Sequence, residues 1–111
     1  MMILEINHKH WEVKKVPLND PLLYYDGGFS RGATWCGNQV IALSEDLNLY
    51  TAPTVILHEL SHAFLASTQV SVPESFNEEQ VCNFVADYSE QILEMANSIY
   101  QTLYMKEADS K

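Results

Sequence analysis

The chain has 111 residues, 47% of them hydrophobic, which suits one domain with a single core and is too short for two domains of ordinary size. Acidic residues outnumber basic ones 15 to 6, for a formal charge of -9, so the surface repels phosphate backbones and argues against a nucleic-acid partner. The two cysteines form no CxxC pair, the N-terminus has neither a basic segment nor a long apolar run, and no stretch reaches transmembrane length; these features point to a cytoplasmic protein with reduced thiols and no membrane partner.

The first strand is expected at 10 to 16, where His10-Trp11-Glu12-Val13-Lys14-Lys15-Val16 alternates in part. His8 and His10 would sit on that strand as solvated side chains. Pro17, Asn19-Asp20-Pro21 and Asp26-Gly27-Gly28 break the chain repeatedly, so 17 to 32 reads as loop with one short helical turn at 22 to 25. Two antiparallel strands follow, at 32 to 36 and 39 to 44, joined through Gly37-Asn38 as a hairpin.

Thr51 can cap a helix and Pro53 suits its first turn. That helix should run from 53 to about 67, with Ile56, Leu60, Ala63, Phe64 and Ser67 on one face and His58 and His62 on another. Residues 70 to 73 read as a linker. Ser75-Phe76-Asn77-Glu78 matches a capping box with Ser75 as cap and Glu78 reaching back. The helix beyond it carries an apolar stripe through Val81, Phe84, Val85, Tyr88, Ile92, Met95, Ile99 and Leu103. From 77 to about 106 it would span roughly 45 Å, more than a small sheet can cover. It should therefore protrude, kink near Asn97-Ser98, or pair with a second copy, so monomer and homo-oligomer both stay open. The tail from 106 to 111 should fray. The expected architecture is a single α+β domain over 1 to 111: a small antiparallel sheet, a helix bearing the histidines, and a long C-terminal helix, with the helices on one face of the sheet.

The chemistry concentrates in His58-Glu59-Leu60-Ser61-His62, an HExxH sequence. Two histidines four residues apart on a helix project from one face, one turn apart, so both imidazoles can reach one cation at about 2.0–2.1 Å. Zinc lowers the pKa of a bound water to about 7, and Glu59, beside the open side of the metal, can take its proton as general base and pass it to the leaving group. An uninterrupted apolar run flanks the motif on both sides, which separates it from two unrelated surface histidines.

Catalytic zinc usually has three protein ligands. Glu79, 17 residues after His62 in the first turn of the second helix, is the candidate; an acid placed to favour a helix N-terminus is the plainer alternative. Asn83, one turn further, can orient a ligand. Cys36 is the rival ligand, through a His-His-Cys site, whereas Cys82 fits better as a small buried apolar residue. Tyr24, Tyr25, Tyr50 and Tyr88 are all possible donors to a developing oxyanion, with Tyr88 also suited to the core.

The segment His58-Glu59-Leu60-Ser61-His62 followed by Asn77-Glu78-Glu79-Gln80-Val81-Cys82-Asn83-Phe84-Val85-Ala86 resembles gluzincin-type metallopeptidases. It is closer to small phage and prophage metallopeptidase-like proteins akin to the ImmA/IrrE and SprT-like groups. The resemblance covers about residues 32 to 92. It implies a minimal zincin-like domain, a zinc cofactor, ligands His58, His62 and Glu79, Glu59 as catalytic base, and Asn83 where the family has an aspartate. Asparagine there accepts a hydrogen bond but lacks the charge that makes a histidine ligand more basic. The family picture also implies that Gln39, Val40, Ile41 and Ala42, taken as an edge strand, bind an extended peptide by strand addition. The implied activity is peptide-bond hydrolysis on a protein or peptide substrate. Two alternatives remain: a zinc hydrolase of non-peptide amides with Cys36 as ligand, and a non-catalytic interaction protein stabilised by zinc.

Overall fold

The computed structural model describes residues 1–68 and 77–105. The chain begins with a hairpin of β1 (Met2–Ile6) and β2 (Lys9–Val16), antiparallel with Ile6 opposite Lys9. Two residues, Asn7 and His8, make the turn with φ of 50° and 68°. Positive φ at both central positions is the conformation whose twist matches that of paired strands, and asparagine tolerates it well. β1 was not expected, and the turn places His8 off the strand; His8 and His10 are nevertheless solvent-exposed, as expected.

A 3₁₀ turn, Pro21–Leu23, follows, capped by the Asp20 side chain, which accepts the Leu22 N–H. A short ribbon pairs β3 (Tyr24–Tyr25) with β4 (Gly28–Phe29) across Asp26 and Gly27, both at positive φ. The region expected to be loop is thus a 3₁₀ turn and a miniature hairpin. Next come β5 (Gly32–Trp35) and β6 (Val40–Ser44), antiparallel with Trp35 opposite Val40. Their connection is four residues long rather than two, and Gln39, at φ 55°, takes the left-handed position.

Among the described residues the main sheet has the order β1-β2-β6-β5, and β2 pairs with β6 in parallel. The sheet is therefore mixed, not antiparallel. The β5–β6 hairpin occupies one side of β6, which leaves its other side for β2, and β6 returns in the same direction as β2. The chain from β2 to β6 crosses over through the 3₁₀ turn, the ribbon and β5 instead of through a helix.

Helix α1 (Ala52–Thr68) and helix α2 (Glu78–Tyr100) pack on one face of the sheet. The apolar stripe of α1 is buried as its spacing predicts: Ile56, Leu60, Ala63, Phe64 and Ser67 face inward against Leu4, Ile6, Trp11, Val13, Ile41 and Leu43. Burying each large side chain contributes about 1.5–3 kcal/mol, so this layer dominates stability. The Trp11 indole N–H donates to Ser67 Oγ at 2.7 Å and ties β2 to the end of α1. On the opposite face a smaller cluster of Val16, Leu23 and Ala42 closes under the 3₁₀ turn.

Helix α2 starts at Asn77, whose side chain accepts the Gln80 N–H at 2.8 Å while Gln80 Oε1 accepts the Asn77 N–H at 3.0 Å. The capping box is present two residues later than expected, with Gln80 in place of Glu78; Ser75 lies outside the described residues, as do the linker at 70 to 73 and the tail from 106 to 111. The stripe of α2 also reads differently at its two ends. Val81 and Val85 are 47% and 52% exposed, Tyr88 is half-buried against Phe64 and Phe84 half-buried against Tyr88, and full burial begins at Ile92 and continues through Ala96, Ile99 and Leu103. Past Tyr100 the helix widens into a π turn, Gln101–Met105, where the Gln101 N–H meets both the Asn97 and Ser98 carbonyls. Tyr104 OH donates to the Ser44 carbonyl at 2.6 Å and Lys15 Nζ donates to the Leu103 carbonyl at 2.9 Å, which fastens this end to the sheet.

Candidate metal centre

Two turns of α1 carry the HExxH residues, and the helix divides them by face. Leu60 points into the core, His58 and His62 point out, and Glu59 sits at the boundary, 7% exposed, against β5. The two imidazoles converge, with Nε2 atoms 3.2 Å apart and ring planes at 77°. Two nitrogens bound tetrahedrally at zinc's usual bond length lie about 3.3 Å apart, so the pair fits two positions of one zinc site. The same gap suits an N–H···N hydrogen bond between one ring and the other.

Glu59 is held from the sheet side. Thr34 Oγ1 lies 2.7 Å from Glu59 Oε1 and 3.0 Å from the Glu59 carbonyl. Glu59 Oε2 lies 4.0 Å from His58 Nε2. The close approach of β5 to α1 depends on Gly32: a Cβ there would lie 2.7 Å from Val55 Cγ1, 3.0 Å from Glu59 Cγ and 3.3 Å from Glu59 Oε2. Thr34 and Gly32 share a face because strand side chains alternate. Alternation puts the two on one face, but only the contact of β5 with α1 marks them as site residues.

These groups line a cleft of about 350 Å³ bounded by Tyr25, Ser30, β5, Cys36, His58, Glu59 and His62. Of the four tyrosines considered as oxyanion donors, Tyr25 lines the cleft, on the ribbon, with its ring 6.1 Å from that of Trp35. Tyr88 packs between Phe64 and Phe84, as a core residue would.

The remaining expected residues divide. Cys36 is an exposed free thiol on the cleft wall. Glu79 and Asn83 are exposed on the first turns of α2, outside the cleft lining. Glu79 stands with Glu78 in the first turn, where acidic side chains favour the helix dipole. Cys82 is exposed, not buried, because it falls on the side of α2 away from Phe84, which packs on the core. Among the described residues no group of three or more His, Cys, Asp or Glu side chains comes together at metal-binding range. Gln39 to Ala42 is not an edge: β6 lies between β2 and β5, and Ile41 and Ala42 are buried. The free edge beside the histidines is β5, whose strand partner lies on one side alone among the described residues.

The chain matches no protein-family model, no curated protein and no solved structure. No helix among the described residues is long and apolar enough to cross a membrane.

Proposed function

We propose that this chain is a zinc-dependent peptidase that hydrolyses amide bonds of an extended peptide lying along β5. The observation that carries the reading is the convergence of His58 and His62 Nε2, 3.2 Å apart, above a nearly buried glutamate in a cleft bordered by β5, the edge strand among the described residues. His58 and His62 would hold the metal, with Glu79 as the third ligand proposed from the motif. Zinc, if held there, would supply Lewis acidity and make water a nucleophile near neutral pH. Glu59 accepts the proton of the attacking water at Oε2, the oxygen that faces His58, and returns it to the departing amine. The backbone of β5 pairs with the peptide and sets its register, and Tyr25 offers a hydroxyl to the carbonyl oxygen as charge develops.

The test compares wild type with Glu59→Gln on denatured casein, each supplied with zinc. The reading expects fragments from wild type and at least a hundredfold fewer from the variant, in line with the loss of a general base, worth about 10²–10⁴-fold. Equal cleavage by both proteins, or none by wild type, counts against it.

A second reading has a specific observation in its favour. Cys36 lines the same cleft as the histidines, whereas Glu79 does not. A His-His-Cys site acting on a small non-peptide amide would follow. Loss of zinc binding in Cys36→Ser with retention in Glu79→Ala selects this reading; the reverse pattern selects the peptidase site.

A further inference from the structure

We infer that Thr34, on the edge strand, is a positioning residue that locks the Glu59 carboxylate in its working orientation; the catalytic consequence of this lock rests on the hydrolase reading above. A hydroxyl has one proton to give. Between its two neighbours, the carboxylate oxygen is nearer, at 2.7 Å against 3.0 Å for the carbonyl, and carries the charge, so the proton goes to Oε1. The two carboxylate oxygens then have separate tasks. Oε1 is engaged by Thr34, and Oε2 is left facing His58.

The anchor is stiff on both sides. Threonine branches at Cβ, which restricts χ1, and Thr34 is fixed in the ladder opposite Ile41. Glutamate has three rotatable bonds, and ordering such a side chain costs up to about 2 kcal/mol. Here the ordering is completed on folding, by Thr34 on one side and on the other by Gly32, where even a Cβ would stand 3.0 Å from Glu59 Cγ. A base left to wander by about 1 Å costs on the order of 10²-fold in rate.

The test uses the full chain with Thr34→Val, which keeps the shape and removes the donor, and Thr34→Ser, which keeps the donor. In zinc-loaded protein, Thr34→Val should lower kcat by about 10- to 100-fold while KM and zinc affinity stay within about threefold, and Thr34→Ser should recover most of the loss. A second readout needs neither metal nor activity. In the metal-free chain, Thr34→Val should lower the folding equilibrium constant about tenfold in the wild-type background, because a nearly buried carboxylate loses its donor, and less than about twofold in a Glu59→Leu background. Additive losses in that cycle, or a Thr34→Ser protein as slow as Thr34→Val, overturn the inference. A wild-type chain without zinc-dependent hydrolysis but with the expected coupling removes the hydrolase reading and leaves the Thr34–Glu59 lock supported.

Discussion

Replacing Gly32 with alanine tests how closely β5 must approach α1. The added Cβ would stand 2.7 Å from Val55 Cγ1 and 3.0 Å from Glu59 Cγ, both inside van der Waals contact. Val55 cannot simply swing away, since a β-branched side chain in a helix has one strongly preferred rotamer. Overpacking of this kind costs about 1–3 kcal/mol. The loss of glycine's freedom in the unfolded chain returns about 0.4–1 kcal/mol, so the net cost is on the order of 1–2 kcal/mol. With a urea m-value of about 1.5 kcal/mol/M, the midpoint should fall by roughly 1 M. Adding Val55→Ala in the same chain removes the nearest clash, and the double variant should be less destabilised than the sum by about 0.5–1.5 kcal/mol. Gly37→Ala is the control: a Cβ there meets nothing within 4 Å, so its midpoint should not fall. A Gly32→Ala protein as stable as wild type, or strict additivity with Val55→Ala, would refute the close approach on which the position of Glu59 depends.

Two further predictions concern the scaffold. Trp11→Phe removes the indole N–H that Ser67 Oγ accepts in the buried layer and opens space beside it, and should cost about 2–4 kcal/mol in urea unfolding, part of it recovered by also changing Ser67→Ala. The Ser44 hydroxyl donated to Asp46, together with the charge of Arg31, holds the Asp46 carboxyl below its ordinary value of 3.8. A depressed folded value means that this carboxylate stabilises the fold above 3.8 and that the contribution is lost as pH falls below it. Asp46→Asn should therefore flatten the acid limb of a plot of urea midpoint against pH, and an unchanged acid limb would show that Asp46 contributes nothing to it.

Periodic features were legible in the sequence. The α1 stripe of Ile56, Leu60, Ala63 and Phe64 is buried as its spacing requires, and the placement of His58 and His62 off that stripe follows from the same period. β2 and the β5–β6 pair were also visible, through alternation and a nearby turn. What local pattern could not carry was pairing at a distance. Nothing within residues 9–16 or 40–44 states that β2 lies parallel to β6, because the hydrogen bonds that decide it join segments more than 20 residues apart. That single pairing turned the expected edge at Gln39 to Ala42 into an interior strand and made β5 the edge. β1 was missed because Asn7-His8 lacks the glycine that usually marks a two-residue hairpin, although both residues adopt the required φ. The apolar stripe of α2 is longer than a small sheet can cover, yet period alone does not say which of its positions stay uncovered; Val81 and Val85 do, at 47% and 52% exposure. The motif marks His58, Glu59 and His62 as candidates, while Thr34 and Gly32 need the strand and the helix in contact.

Zinc titration of the chelator-stripped full chain, followed calorimetrically in wild type, His58→Ala and His62→Ala, bears most directly on the central claim. The convergent imidazoles predict saturable, equimolar zinc binding by wild type and its loss in either variant. A wild-type chain that takes up no zinc, or binding that survives removal of either histidine, would contradict the metal centre and every catalytic role built on it.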